Sequence, residues 1–135
     1  RVKDDSAITD DDIRNSNLVL WGDPSSNKLL ARIADKLPIR WNGREIKVGD
    51  KTYDATKNVP VFIFPNPLNP SRYVVINSGF TFPQFAAASN SLQTPKLPDW
   101  AILDISVPLA ERVAGKGVVD ANFFGERWEV KSGAK

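Results

Sequence analysis

Asn17 to Leu37, NLVLWGDPSSNKLLARIADKL, reads as a strand, a sharp turn and a helix, and the rest of the chain can be placed around it. Leu18, Val19, Leu20 and Trp21 form a continuous apolar run, which predicts a strand buried on both faces. Gly22 and Pro24 break that strand, and Ser25 or Ser26 can cap the helix that follows. Leu29, Leu30, Ile33 and Leu37 recur at helical spacing and give that helix one apolar face. Such a turn points free backbone N–H groups, at the positive end of a helix dipole, beyond the strand's carboxyl end. Gly22, Asp23, Ser25, Ser26 and Asn27 therefore form the first candidate ligand site.

Upstream, residues 1–16 read as a polar linker and a short helix, with Thr9 as the capping hydroxyl and Asp10, Asp11 and Asp12 in the first turn. Consecutive carboxylates point in different directions on a helix, so these three are helix-start residues rather than a metal site. Downstream, Pro38 stops the helix. Asn42-Gly43 and Gly49-Asp50 are turn signals, with Ile46, Val48 and Tyr53 alternating between and after them, which predicts a small antiparallel ribbon at the sheet's edge. Lys47 and Lys51 are expected to face solvent there and discourage edge pairing.

Val59–Phe64 (VPVFIF), Tyr73–Ile76 (YVVI) and Trp100–Ile105 (WAILDI) are further apolar strands. The prolines at 65, 67 and 70 predict a rigid loop between the first two. Phe82 to Leu92 reads as a helix. Val118 to Val130 reads as a closing strand or hairpin with Phe124, Trp128 and Val130 in the core. Strands alternating with helices predict a three-layer α/β sandwich of Rossmann or flavodoxin-like type over residues 17–130, with a mainly parallel sheet, antiparallel edge hairpins, and a polar tail at 131–135.

Composition narrows the chemistry. The chain has 135 residues, enough for one domain with its own core, and its 41% hydrophobic and 25% charged residues are ordinary globular values. Eighteen basic residues against sixteen acidic ones are scattered, which speaks against a nucleic-acid partner. With no cysteine and no histidine, this chain cannot supply a Ser-His-Asp triad or a thiolate nucleophile, and it lacks the commonest transition-metal ligand. No cofactor or metal is called for. No apolar run approaches the ~20 residues that span a bilayer, so membrane insertion is not expected. The absence of any methionine makes Arg1 read as a processing boundary, and the chain as a piece of something larger.

The Gly22–Asn27 turn has one glycine where dinucleotide fingerprints have three, and it lacks the Gly-Lys-Ser/Thr of a P-loop. A plain capped turn is its simpler reading. In an open parallel sheet the strands' carboxyl ends converge, so Asn66, Asn69, Arg72, Asn77 and Ser78 are expected to gather beside Asp23 as a second candidate set. Asparagines in turns more often hold the backbone through their own side chains. Asp99, Asp104, Asp120 and Glu126 are the remaining acids, and nothing in their spacing predicts a catalytic pair.

Taken together, NLVLWGDPSSNKLLARIADKLPIRW, FPNPLNPSRYVVINSG and DANFFGERWEV resemble a domain at the C-terminal end of large bacterial proteins of the prolyl-oligopeptidase family, which carry an α/β-hydrolase catalytic domain. The resemblance runs from Asn17 to Val130. It implies that the catalytic serine, acid and histidine lie in an upstream domain, that the parent is exported to the periplasm or beyond, and that this domain is a non-catalytic accessory. No catalytic residue of that family maps onto this chain. The implied partner is the upstream hydrolase domain of the same polypeptide; the alternative is an independent small-ligand module built on the Gly22–Asn27 turn.

Overall fold

The computed structural model describes residues 1–79, 97–108, 111 and 116–131. Two sheets, two short α-helices and two single 3-10 turns (Asp5–Ala7 and Ala34–Lys36) make up the described chain: α1 (Asp10–Asn15), β1 (Leu18–Trp21), α2 (Lys28–Ile33), β2 (Ile39–Trp41), β3 (Glu45–Val48), β4 (Lys51–Asp54), β5 (Asn58–Asn66), β6 (Asn69–Asn77), β7 (Trp100–Asp104) and β8 (Val118–Asn122). The main sheet has the order β1-β6-β5-β7-β8, and β2-β3-β4 form a separate sheet. Only β1 and β6 run parallel; β6-β5, β5-β7 and β7-β8 are antiparallel.

This overturns the expected three-layer sandwich with a mainly parallel sheet. Among the described residues strands dominate, the sheets are mostly antiparallel and helices are few. The strand–turn–helix at Asn17 to Leu37 exists, but α2 does not cross over to a neighbouring parallel strand. The chain instead builds the whole β2-β3-β4 meander before re-entering the main sheet as β5. The helix expected over residues 82–92 lies outside the described residues.

Local chemistry explains most elements. Thr9 caps α1 through a capping box: its hydroxyl accepts from Asp12 N–H, and the Asp12 carboxylate accepts from Thr9 N–H. Lys3 pairs with Asp12 at 2.5 Å and Arg14 with Asp11 at 2.9 Å, so two of the three aspartates are occupied by surface pairs. Asn42 Oδ1 accepts from Arg44 and Glu45 N–H and closes the β2-β3 turn. Gly49, at φ +60°, turns β3 into β4.

The proline-rich segment is tighter than a loop. β5 and β6 are joined through Pro67 and Leu68 alone, and Pro65 and Pro70 lie inside the strands, with a bulge between Pro65 and Asn66. The central strand β5 also carries Pro60. Its carbonyl accepts from Ser78 N–H, so its nitrogen faces the point where β6 has just ended. Pro65, by the same alternation, turns its nitrogen towards β7's side beyond the Phe62–Trp100 pair, where the β7 ladder stops. Each missing donor sits where the sheet has no partner for it.

The core lies on one face of the main sheet. Leu18 and Leu20 of β1, Val74 and Ile76 of β6, Phe62 of β5, and Trp100 and Ile102 of β7 meet Ile13 of α1, Leu29, Leu30 and Ile33 of α2, and Ile39, Ile46 and Val48 of the small sheet. Trp41 packs edge-on against Phe62 at 5.9 Å. Ile13 belongs to this core, so the N-terminal helix packs as part of the domain. Phe124 is buried, and Trp128 and Val130 pack against the same cluster as expected. A smaller cluster, Val61, Ala101 and Leu103 with Val59, Leu97, Val118 and Ala121, occupies the opposite face. Among the described residues no helix is long and apolar enough to cross a membrane.

Candidate functional site

The Gly22–Asn27 turn follows β1 directly, and its polar groups satisfy one another. Asp23 Oδ1 accepts from Ser25 N–H (2.9 Å), the Ser25 hydroxyl (2.7 Å), Ser26 N–H (2.9 Å) and the Ser26 hydroxyl (3.0 Å). The Ser25 hydroxyl above all, with Ser26, holds the Asp23 carboxyl below its ordinary value against the opposing effect of burial. Asn27, not either serine, caps α2: its Oδ1 accepts from Leu30 N–H at 2.9 Å, while its Nδ2 donates to the Trp21 carbonyl at 3.1 Å. Lys28 N–H donates to the Asp5 carboxylate. The donors that would greet an anion are largely spent, and α2 is only six residues long.

The second candidate set divides. Asn77 and Ser78 do lie beside the turn, because β6 runs parallel to β1 and Gly22 N–H donates to the Asn77 carbonyl at 3.3 Å. Asn66, Asn69 and Arg72 sit at the opposite end of the sheet, because β5 is antiparallel and the β5-β6 hairpin turns there. Asn66 is buried and accepts from Leu68 N–H through Oδ1, while its Nδ2 has no partner among the described residues. Asn69 Nδ2 ties the hairpin to the end of α1, donating to the Ile13 and Arg14 carbonyls at 3.1 Å, and Arg72 Nε reaches the Arg14 carbonyl at 3.4 Å. One crevice holding Asp23, Asn66 and Asn77 therefore does not form. Asn66 instead holds its own hairpin turn, and Asn69 ties that turn to α1.

Two features escape sequence reasoning. The first is the outer face and free edge of β1. Its side chains alternate, with Leu18 and Leu20 buried but Val19 55% and Trp21 56% exposed, so the expected burial on both faces is not observed. Strand alternation turns the Leu18, Leu20 and Gly22 backbone towards β6. Val19 N–H and C=O and Trp21 N–H consequently face the open edge, beside a groove also lined by Val2, Lys3, Ile8 and Ser16. Trp21's size and chemistry are visible in the sequence, but its direction depends on which face α2 covers.

The second is a cleft of about 270 Å³ where the Gly49 turn meets β7, β8 and Val130. Asp120 of β8 joins the two sheets across it. Its Oδ2 accepts from Lys51 Nζ at 2.8 Å and from the Tyr53 hydroxyl, and its Oδ1 accepts from Ala121 N–H at 2.9 Å. Burial alone would raise the Asp120 carboxyl; the Lys51 and Tyr53 hydrogen bonds more than offset it and hold the group below its ordinary value. Burial, and then donation to Asp120, push the Tyr53 phenol up, and Asp120 raises Lys51. Lys51, expected as a plain solvent charge, is thus an inter-sheet tie, whereas Lys47 pairs with Glu45 at 2.8 Å on the small sheet's surface. Of the other acids, Asp99 accepts from Phe124 N–H and Asp104 from Ser106, both structural uses.

Among the described residues no group of three or more acids is placed to hold a metal ion. No protein-family model, curated protein or solved structure matches the chain.

Proposed function

We propose that this chain is a non-catalytic accessory domain of a secreted bacterial serine hydrolase, which packs on or positions the catalytic domain or its substrate. The observation that supports it best is the uncovered side of β1. Val19 and Trp21 are more than half exposed on one face, at a sheet edge whose backbone groups remain available for pairing. Exposed large apolar residues beside an open strand edge are features of surfaces that meet another polypeptide. The lack of histidine and cysteine fits a supporting role, and the resemblance of the Asn17–Val130 segments to the appended domain of prolyl-oligopeptidase-family proteins names the hydrolase as the partner. The alternative, a ligand module at the Gly22–Asn27 turn, loses ground because that turn spends its donors internally.

The test compares the full-length parent with a form lacking this domain, and with a Val19→Ser/Trp21→Ser double variant, measuring stability and turnover on peptide and ester substrates. The deletion and the double variant are both expected to lower the parent's stability or change its substrate preference. Unchanged stability, turnover and preference in the deleted form would refute the accessory role.

A further inference from the structure

The cleft between the two sheets has a lining that the accessory role does not use. Its walls are Val48 and Gly49 at the end of β3, Trp100 of β7, Asp120 and Asn122 of β8, and Val130. Asp50, Lys51 and Lys131 place charge at its rim. At about 270 Å³ it is slightly smaller than the ~300 Å³ at which pockets for drug-sized ligands begin, so it suits a smaller guest.

The charges are balanced but not equally engaged. Asp120 already accepts three hydrogen bonds, from Lys51, Tyr53 and Ala121. Lys51 has given one of its three N–H bonds to Asp120. Lys131 and Asp50 make no ion pair among the described residues. Asn122 uses its Oδ1 to accept from Phe123 N–H, which leaves its amide donors unspent. Trp100 is 4% exposed; its ring lines the cleft, and its buried indole N–H has no acceptor among the described residues. Spare capacity is therefore the two lysine ammonium groups and the Asn122 amide, with the Asp50 carboxylate also at the rim, and the wall is apolar through Val48, Val130 and the Trp100 ring.

We propose that this cleft binds a small zwitterion with an apolar side chain, a free amino acid or a dipeptide, its carboxylate met by Lys131 and Lys51 and its ammonium by Asp50. The assignment stands independently of the docking role of β1, which lies at the other edge of the main sheet. An uncharged apolar guest would make no use of the rim charges, and a simple anion would meet Asp50 as well as the lysines.

The test is calorimetric and NMR titration of the intact chain with four probes: L-leucine, leucyl-leucine, 4-methylpentanoate, which lacks the ammonium, and leucinamide, which lacks the carboxylate. Leucine or leucyl-leucine is expected to bind and to shift the Trp100 indole N–H resonance, and their relative strength distinguishes a free amino acid from a peptide as the ligand. Losing either charge is expected to weaken binding about tenfold. Lys131→Ala is expected to weaken the zwitterions and 4-methylpentanoate but not leucinamide, and Asp50→Asn the zwitterions and leucinamide. Both variants alter exposed side chains and leave the fold intact, which circular dichroism checks. No saturable binding of either zwitterion, binding of leucinamide as tight as that of leucine, or zwitterion affinities in both variants unchanged from the wild type would overturn the assignment.

Discussion

Tyr53→Phe removes one hydroxyl from the tie between the sheets and leaves the ring, which packs against the main core, in place. The lost bond is donated to an ionised carboxylate, and hydrogen bonds to charged groups contribute about 1.5–3 kcal/mol. Asp120 keeps Lys51 and Ala121 N–H as donors, and both side chains are only partly buried, so the lower end applies: about 1.5 kcal/mol. With a urea m-value of roughly 1.5 kcal/mol/M, the unfolding midpoint should fall by about 1 M, followed by circular dichroism. The pH dependence gives an independent check. Asp120 has a folded-state value below its ordinary 3.8, so the stability it adds is fully present above 3.8 and is lost as pH falls through the folded-state value. The gap between wild type and Tyr53→Phe should therefore hold from neutral pH down to about 5 and narrow below 3.8. A gap under ~0.5 kcal/mol at neutral pH, within the scatter of ordinary surface substitutions, would refute the assignment of Asp120 as the inter-sheet tie. So would a gap that does not change in acid.

Other substitutions probe the remaining supports. Leu30→Ala, at a position fully buried between α2 and the main sheet, should cost about 3 kcal/mol in the same urea assay. Asn27→Ala removes both the cap on α2 and the bond to the Trp21 carbonyl, and should cost about 1–2 kcal/mol, more than Ser25→Ala. Gly22→Ala places a methyl 2.5 Å from Ser26 Oγ at a φ of +90°, and should destabilise by more than about 1 kcal/mol; a neutral result would show that the turn can relax.

The local elements were legible because their signals are short-range. Thr9 with Asp12, Asn42 with Gly43, and Gly49 each fix a few dihedrals through neighbours in sequence, and each appears where the sequence places it. Strand direction is not short-range. The run VPVFIF looks the same in a parallel and an antiparallel sheet, and a strand buried on both faces by a second sheet and a smaller cluster is as apolar as one between two helical layers. The three prolines at 65, 67 and 70 pointed to a loop because their missing donors count against a strand; only the pairing shows that β5's neighbour on that side has already ended. That one reversal sends Asn66 away from Asn77 and dissolves the expected crevice. Asp120 and Tyr53 are 67 residues apart, and nothing in either one's surroundings announces the other.

The stretch that misled on fold carries the strongest functional signal for the same reason. LVLW is apolar throughout, and in a sheet covered on both sides this needs no explanation. In the observed sheet β1 is an edge strand covered on one side, so Val19 and Trp21 are apolar where water would favour polar residues. The other edge strands each carry charge, Arg40 on β2, Lys51 on β4 and Asp120 on β8, although β8 also exposes Val119. β1 itself has no charge, proline or bulge; it is short, and Val2 and Lys3 line the groove beside its edge. An uncharged edge strand with two exposed apolar side chains suits the proposed docking to another polypeptide. Trp21→Lys is accordingly expected to leave the isolated chain's stability within about 0.5 kcal/mol while weakening attachment to the proposed partner domain. If it instead unfolds the isolated chain, the exposed face of β1 belongs to this domain's own packing and the docking role falls.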